Sequence, residues 1–511
     1  MKKLLCLLLS LLLVLPLAAA CGKDTPDPIN TGDNVSDTSP SDSDTVEDTD
    51  TEPDTDTEPP ADTDPVRAHN VPTDSLDFDD ETFHVAGFGN GPHKTYYFWE
   101  GEETSDPMQS AIYARQIAVE EALGVKLIHT RFEPHYIPMI QAVNASVSVG
   151  DDDYQCVLMH QIDSIASFVT SGTLYPIDLL PYIDLEADWW DAEQMELMRL
   201  GESTYYGISD YLMPSPAVLL FNKDIAASLD GMPDIYQLVK DYKWTLDTFE
   251  SAARLFSQDV NNDGVWDDSD NYGVGNCPTT GLWTSCNQPI IAKDEDGRLQ
   301  LAINTEKSVT IMETVARWAN DHIAQRVQGD DESLYLPTGQ VLFMGCMLSY
   351  VESLRDQDVD YGIIPVPMFD EDQGAYYVND CAGPFCVPTT IRNPELVGAT
   401  LELLSFYSGA EGGVKDTYYD IVLDGQLSQD PETPIMLDLI FEGMYYDPAT
   451  TYFGFSGGIF DFYYAPAYEA FEKGNANFAS FYSKHETTAN KTLDDFYRSL
   501  EIMESLNEYL S

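Results

Sequence analysis

From Glu81 onward the chain alternates short apolar runs with amphipathic ones, and this alternation restricts the fold more than any other feature. Thr82–Ala86 reads as a strand running into the loop Gly87-Phe88-Gly89-Asn90-Gly91. Met108 to Leu123 carries Ile112, Ile117, Val119 and Leu123 at helical spacing and stops at Gly124. Val125–Ile128 predicts a second strand, Tyr136–Val149 a helix closed by Gly150, and Cys156–Met159 a third strand. Farther on, Ala217–Phe221 and Phe385–Pro388 read as strands, and Val341–Leu348 is an apolar run with a glycine inside. Helices are expected after Thr245, over Met312–Ile323, over Leu396–Tyr407 and over Asp494–Leu510. Repeated strand–helix units predict an α/β fold with mostly parallel sheets. In such folds ligands sit beyond the carboxyl ends of the strands.

The region before Glu81 has a different character. Met1-Lys2-Lys3 and the apolar run Leu4–Ala20 form a charged start and a core too short to span a bilayer comfortably, which predicts a signal peptide over 1–20. Ala18-Ala19-Ala20-Cys21-Gly22 resembles a bacterial lipobox, with Ala18 where Leu is usual. The resemblance makes Cys21 the acylated N-terminus, held at the outer face of a Gram-positive type cell membrane by its lipid alone. Residues 21–76 then form an acidic linker of Asp, Thr, Ser, Glu and Pro, with almost nothing to bury. Its coil span is on the order of 40 Å, and more with self-repulsion. The formal net charge of the chain, −63, excludes nucleic acid as a partner and favours neutral ligands.

Cys156, Cys277, Cys286, Cys346, Cys381 and Cys386 remain after Cys6 and Cys21 are set aside. Two close pairs, Cys277/Cys286 and Cys381/Cys386, could staple loops, and buried free thiols are the alternative.

The order of motifs resembles extracellular solute-binding protein family 1, the group of the maltose-binding protein. Phe221-Asn222-Lys223-Asp224, Trp244-Thr245-Leu246-Asp247-Thr248-Phe249, Asp360–Pro367 after Gly339–Leu354, and Ala382–Pro388 each resemble a family block, in the family's order. The resemblance implies a type II periplasmic-binding-protein-like fold, two lobes joined by a hinge. One lobe is expected over 78–216 plus 364–410 and the other over 217–363 plus 411–511. It further implies a monomer that captures a carbohydrate or similar polar solute between the lobes and delivers it to the permease subunits of an ABC importer.

Sugar recognition needs aromatic faces for C–H patches and planar polar groups for hydroxyls. By the resemblance Asp163 falls at a sugar-binding aspartate, His160 stands where the family has a Trp, and Tyr350 stands near a stacking Trp. Phe88, Trp99, Trp283, Asn287, Asp380 and Phe385 are further candidates in loops or at strand ends. Packing is the competing assignment for each aromatic among them.

Asp259-Val260-Asn261-Asn262-Asp263-Gly264-Val265-Trp266-Asp267-Asp268-Ser269-Asp270 places oxygen donors as a calcium loop does. Asp259, Asn261, Asp263, Asp267 and Asp270 would ligate through side chains and Val265 through its carbonyl, with Gly264 at the sharp turn. A solvated acidic turn is the alternative reading.

Two other functions compete: a surface glycan hydrolase or esterase, and a surface binding lipoprotein that does not transport. Gly454-Phe455-Ser456-Gly457-Gly458 matches a nucleophile elbow, but the residues before it make a poor strand. No catalytic residue is assigned.

Overall fold

The computed structural model describes residues 67–88, 100–133, 136–159, 165–276, 281–325, 332–354, 357–379, 384–419, 430–454 and 457–510. The chain divides at Pro65, and the second unit, Val66–Ser511, holds all of these residues. Packing therefore begins about ten residues before the end of the compositional linker. Arg67 explains the difference: its guanidinium lies over Trp189 at 4.9 Å and Phe406 at 5.6 Å and pairs with Asp188.

Following the chain, β1 (Glu81–Phe88), β2 (Val125–Phe132), β3 (Cys156–Leu158), β4 (Leu174–Tyr175) and β5 (Tyr206–Gly207) belong to a first sheet. The chain then enters a second sheet with β6 (Ala217–Asn222) and β7 (Tyr272–Gly275). A separate hairpin, β8 (Ile291–Lys293) and β9 (Leu299–Leu301), follows. The second sheet is completed by β10 (Ala324–Gln325), β11 (Val341–Met347) and β12 (Tyr361–Ile364). After β13 (Val378–Asn379) the chain returns to the first sheet as β14 (Phe385–Pro388), and β15 (Met444–Tyr445) later pairs with β13.

The strand orders are β2-β1-β3-β14-β4, with β5 also on β14, and β10-β7-β11-β6-β12. Both sheets are mixed rather than mostly parallel. β1 runs parallel to β2 and β3, and β7 to β10 and β11. The antiparallel strands β14 and β6 are those that receive the chain from the other sheet, so crossing between sheets reverses the local direction.

Local chemistry explains the elements. In the helix Pro107–Leu123 the Asp106 carboxylate accepts from Gln109 N–H at 2.8 Å, Pro107 fits the first turn, and Gly124 ends it at φ 60°. A Cβ there would meet the Asp77 carboxylate at 2.2 Å. Ile112, Val119 and Leu123 are fully buried, each contributing about 1.5–3 kcal/mol. Every residue of β6 is buried, as befits a central strand covered on both faces. Thr245 and Thr248 form a capping box at the start of Leu246–Arg254.

One apolar cluster runs from Phe88, Val157 and Phe168 through Tyr452, Phe453 and Phe496 to Trp283, Trp318 and Trp244. The C-terminal helices, ending in Phe478–Leu510, therefore pack on the helix Ile165–Thr170 after β3 as well as on the hairpin β8–β9 and the helix Glu306–Asn320 after β7. No described helix is long and apolar enough to cross a membrane.

Cys156, Cys286, Cys346 and Cys386 are buried free thiols. Cys386 stands opposite Val157, which puts it on the other sheet face from Cys156. Burial pushes the Cys286 thiol up to about 12.

Candidate functional site

Register identifies the edges from which ligand loops depart. β1 and β3 end at Phe88 and Leu158, and β14 begins at Phe385 opposite Leu158. Gly207, at the end of β5, also pairs with Phe385. In the second sheet β11 ends at Met347 opposite Ala217, the start of β6, and β12 ends at Ile364 opposite Leu219. Both passages between the sheets, 208–216 and 365–384, thus join the same two strand edges. The carboxyl ends of β1, β3, β5, β7, β11 and β12 lie at those edges, where α/β folds hold their ligands.

The sequence candidates separate into three groups. His160, Asp163, Asp380, Trp99 and Cys21 lie outside the described residues. Phe88, Trp283, Tyr350 and Phe385 are buried. Phe88 closes β1 with its ring 5.9 Å from Tyr136. Phe385 packs against Trp190 and Tyr211. Trp283 is 1% exposed and its indole N–H donates to Phe462 O at 2.9 Å, so here it is a packing residue with no free face. The Tyr350 carbonyl accepts from the Ser333 hydroxyl. Asn287 alone is exposed, at φ 48°, a left-handed backbone that Asn tolerates.

Asn287 opens on a recess that also receives Thr284, Tyr377, Tyr445 and Asp447. Tyr377 and Tyr445 meet edge to face at 6.5 Å because β13 and β15 pair in parallel, Asn379 beside Tyr445. Asp447 is 2% exposed and caps the helix Pro448–Phe453, accepting from Ala449 N–H at 2.8 Å. Burial pushes its carboxyl up to about 6 against that single hydrogen bond.

The other edge of this small ladder is held by a side chain from the first half. Gln194, in the helix Ala192–Leu197, donates to Met444 O at 3.3 Å and accepts from Tyr446 N–H at 3.0 Å. Nearby, the Tyr452 hydroxyl donates to Met198 O at 2.6 Å. Sequence reading missed Gln194 because nothing local distinguishes it; its partners lie in a distant part of the chain.

The acidic loop 259–270 sits at the start of β7, the end of the second sheet away from the crossing passages. Asp270 is fully buried, accepting from Val260 and Asp267 N–H groups. Asp259 accepts from Gly264 N–H through Oδ2, and its Oδ1 is buried without a hydrogen-bond partner. Gly264 takes φ 77°, as the turn requires. Trp266 stacks on His322 at 4.8 Å and ties the loop to the sheet. Among the described residues no group of three or more His, Cys, Asp or Glu side chains is placed to hold a metal ion. The segment before Gly454 is the helix Pro448–Phe453, whereas a nucleophile elbow needs a strand there.

No family model matches the chain, and no curated protein matches it. Solved structures do. An ABC substrate-binding protein from Listeria monocytogenes, in complex with cycloalternan, superimposes with a TM-score of 0.52 at 14% identity, covering 81% of this chain and 100% of that one. The galacto-N-biose-/lacto-N-biose I-binding protein of an ABC transporter from Bifidobacterium longum, in complex with lacto-N-biose, gives 0.52 at 14% identity over 82% and 98%. Taken with the two mixed sheets and their crossing passages, these likenesses show that the chain has the two-lobed α/β fold of ABC-transporter substrate-binding proteins.

Proposed function

We propose that this protein captures an oligosaccharide or similar polar solute between its two halves and presents it to the permease of an ABC importer. The observation that carries the reading is the convergence of strand ends and both crossing passages on one pair of sheet edges. A solute there touches both halves and favours their closure. The fold likeness to proteins solved with cycloalternan and lacto-N-biose supports a carbohydrate. The reading includes attachment to the outer face of the cell membrane through acylated Cys21, which intact-mass measurement of the mature protein tests.

Thermal shift with maltotriose, mannotriose, lacto-N-biose and cycloalternan tests capture. A rise in melting temperature with the sugar recovered intact supports the reading. Release of reducing ends would favour the hydrolase instead, and no shift with any oligosaccharide would remove the carbohydrate.

We further propose that the 259–270 loop takes a structural calcium ion, supported by the buried, partnerless Oδ1 of Asp259. Several of the loop's carboxylates now accept from its own N–H groups, so binding would turn further oxygens inward. Melting in millimolar calcium against EDTA should differ by several degrees; identical curves would eliminate the ion.

A further inference from the structure

We propose that residues 67–71 are a strap that sets the stiffness of the 208–216 passage between the sheets, with Arg67 positioning Asp210 inside that passage. The proposal rests on the reading that the two halves move about their connecting passages.

The strap alternates as an extended segment does. Arg67, His69 and Val71 are covered in part or in full, while Ala68 and Asn70 are exposed. Val71 is 4% exposed and packs in one apolar cluster with Val85 of β1 and Leu403. The His69 ring meets Phe406 edge to face at 4.8 Å. These two contacts hold the strap on the first half.

Arg67 reaches farther. Its guanidinium forks over Trp189, with Nε donating to Asp188 at 3.0 Å and a terminal nitrogen to Asp210 at 3.5 Å. The Asp188 carboxylate is exposed, so that pair contributes little. The Asp210 carboxylate is mostly covered and belongs to the passage. Its backbone N–H donates to Trp189 O at 2.9 Å, so strap and passage meet on one tryptophan. Through its other oxygen Asp210 accepts from Lys415 Nζ at 2.9 Å. Lys415 lies in the helix Val414–Thr417, and Val414 packs in one cluster with Met213 of the passage and Val218 of β6. The row Arg67–Asp210–Lys415 thus runs from the strap to residues packed with the second sheet. A covered carboxylate held by two cations loses much of its compensation when one is removed.

Gly409 leaves the room that this row needs. Its φ of −93° is open to any residue, so backbone conformation does not call for glycine. Space does: a Cβ there would lie 2.2 Å from Asp210 Oδ2 and 2.5 Å from a terminal nitrogen of Arg67. Gly409→Ala therefore keeps every charge and displaces only the pair.

Hydrogen exchange of the full mature chain, without any solute, tests the strap. Arg67→Gln and Gly409→Ala should each speed exchange at 208–213 and 414–418 about tenfold, with β1 and β3 unchanged. The double variant should be no faster than either single one, because both changes break the same pair. Unchanged exchange at 208–213 in either variant overturns the proposal. So does an equal rise in β1 and β3, which would make Arg67 a general staple, or effects that multiply in the double variant. A protein that captures no oligosaccharide yet shows these local rises keeps the strap and loses only the importer reading.

Discussion

Two buried carboxylates in different regions of the molecule are treated in opposite ways. Glu402 lies in the helix Pro394–Ser408 beneath the first sheet and is fully buried. It accepts from the Trp189 indole at 3.0 Å, the Trp190 indole at 2.9 Å and Asp184 N–H at 3.3 Å. Asp447, beside the β13–β15 ladder, has one donor among the described residues, Ala449 N–H. Burial raises both carboxyls, Glu402 to about 7 and Asp447 to about 6. A group whose hydrogen bonds are complete holds structure together. Asp447 instead serves one turn of helix, as the cap of Pro448–Phe453.

The largest expected effect follows from removing the complete network. Glu402→Leu leaves two indole N–H groups and a backbone N–H without an acceptor, and should destabilise the protein by about 3 kcal/mol in urea unfolding. A loss below about 1 kcal/mol would mean that the three donors find other acceptors and that the contrast is illusory.

The pH dependence is the next effect. Both carboxyls bind their proton more tightly in the folded state than their ordinary values of 4.5 and 3.8 imply. Each therefore adds stability below its unfolded value, and that contribution is lost as pH rises through the folded value. Compared with wild type, Asp447→Asn should gain in melting temperature between about pH 4 and pH 6 and stay level above. For Glu402→Leu the corresponding drift should continue to about pH 7. Parallel curves for wild type and variant would show that the carboxyl titrates normally.

The smallest effect is that of Asp447→Asn itself. Asn caps a helix about as well as Asp, so at pH 7.5 the variant should lie within about 1 kcal/mol of wild type or above it. A loss comparable to that of Glu402→Leu would show that Asp447 holds more than its helix cap.

Legibility in the sequence follows the range of the interactions. The helix Tyr136–Val149 has the bounds that its spacing and Gly150 predict, because cap and periodicity are local. Strand β14 likewise matches Phe385–Pro388. The helix expected over Asp494–Leu510 begins earlier, at Phe478, because Phe478 and Phe481 are anchored by contacts with Trp283 and Phe462 far away in the chain. Trp283 is placed in a loop by sequence and in the core by that same packing. The recess was legible only through Asn287. Tyr377, Tyr445 and Asp447 come together through a two-residue strand pair, too short to announce itself as a pattern. The mixed sheets were missed because direction is set by crossings between halves, which periodicity does not encode.

The amide of Gln194 has a consequence beyond joining two segments. In a strand pair, alternate residues point their backbone groups outward, and at β15 those are Met444 O and Tyr446 N–H. One planar side chain fills both positions as a neighbouring strand would, leaving that margin nothing to offer a foreign polypeptide. The same amide thereby closes this margin against strand pairing with a second copy of the chain.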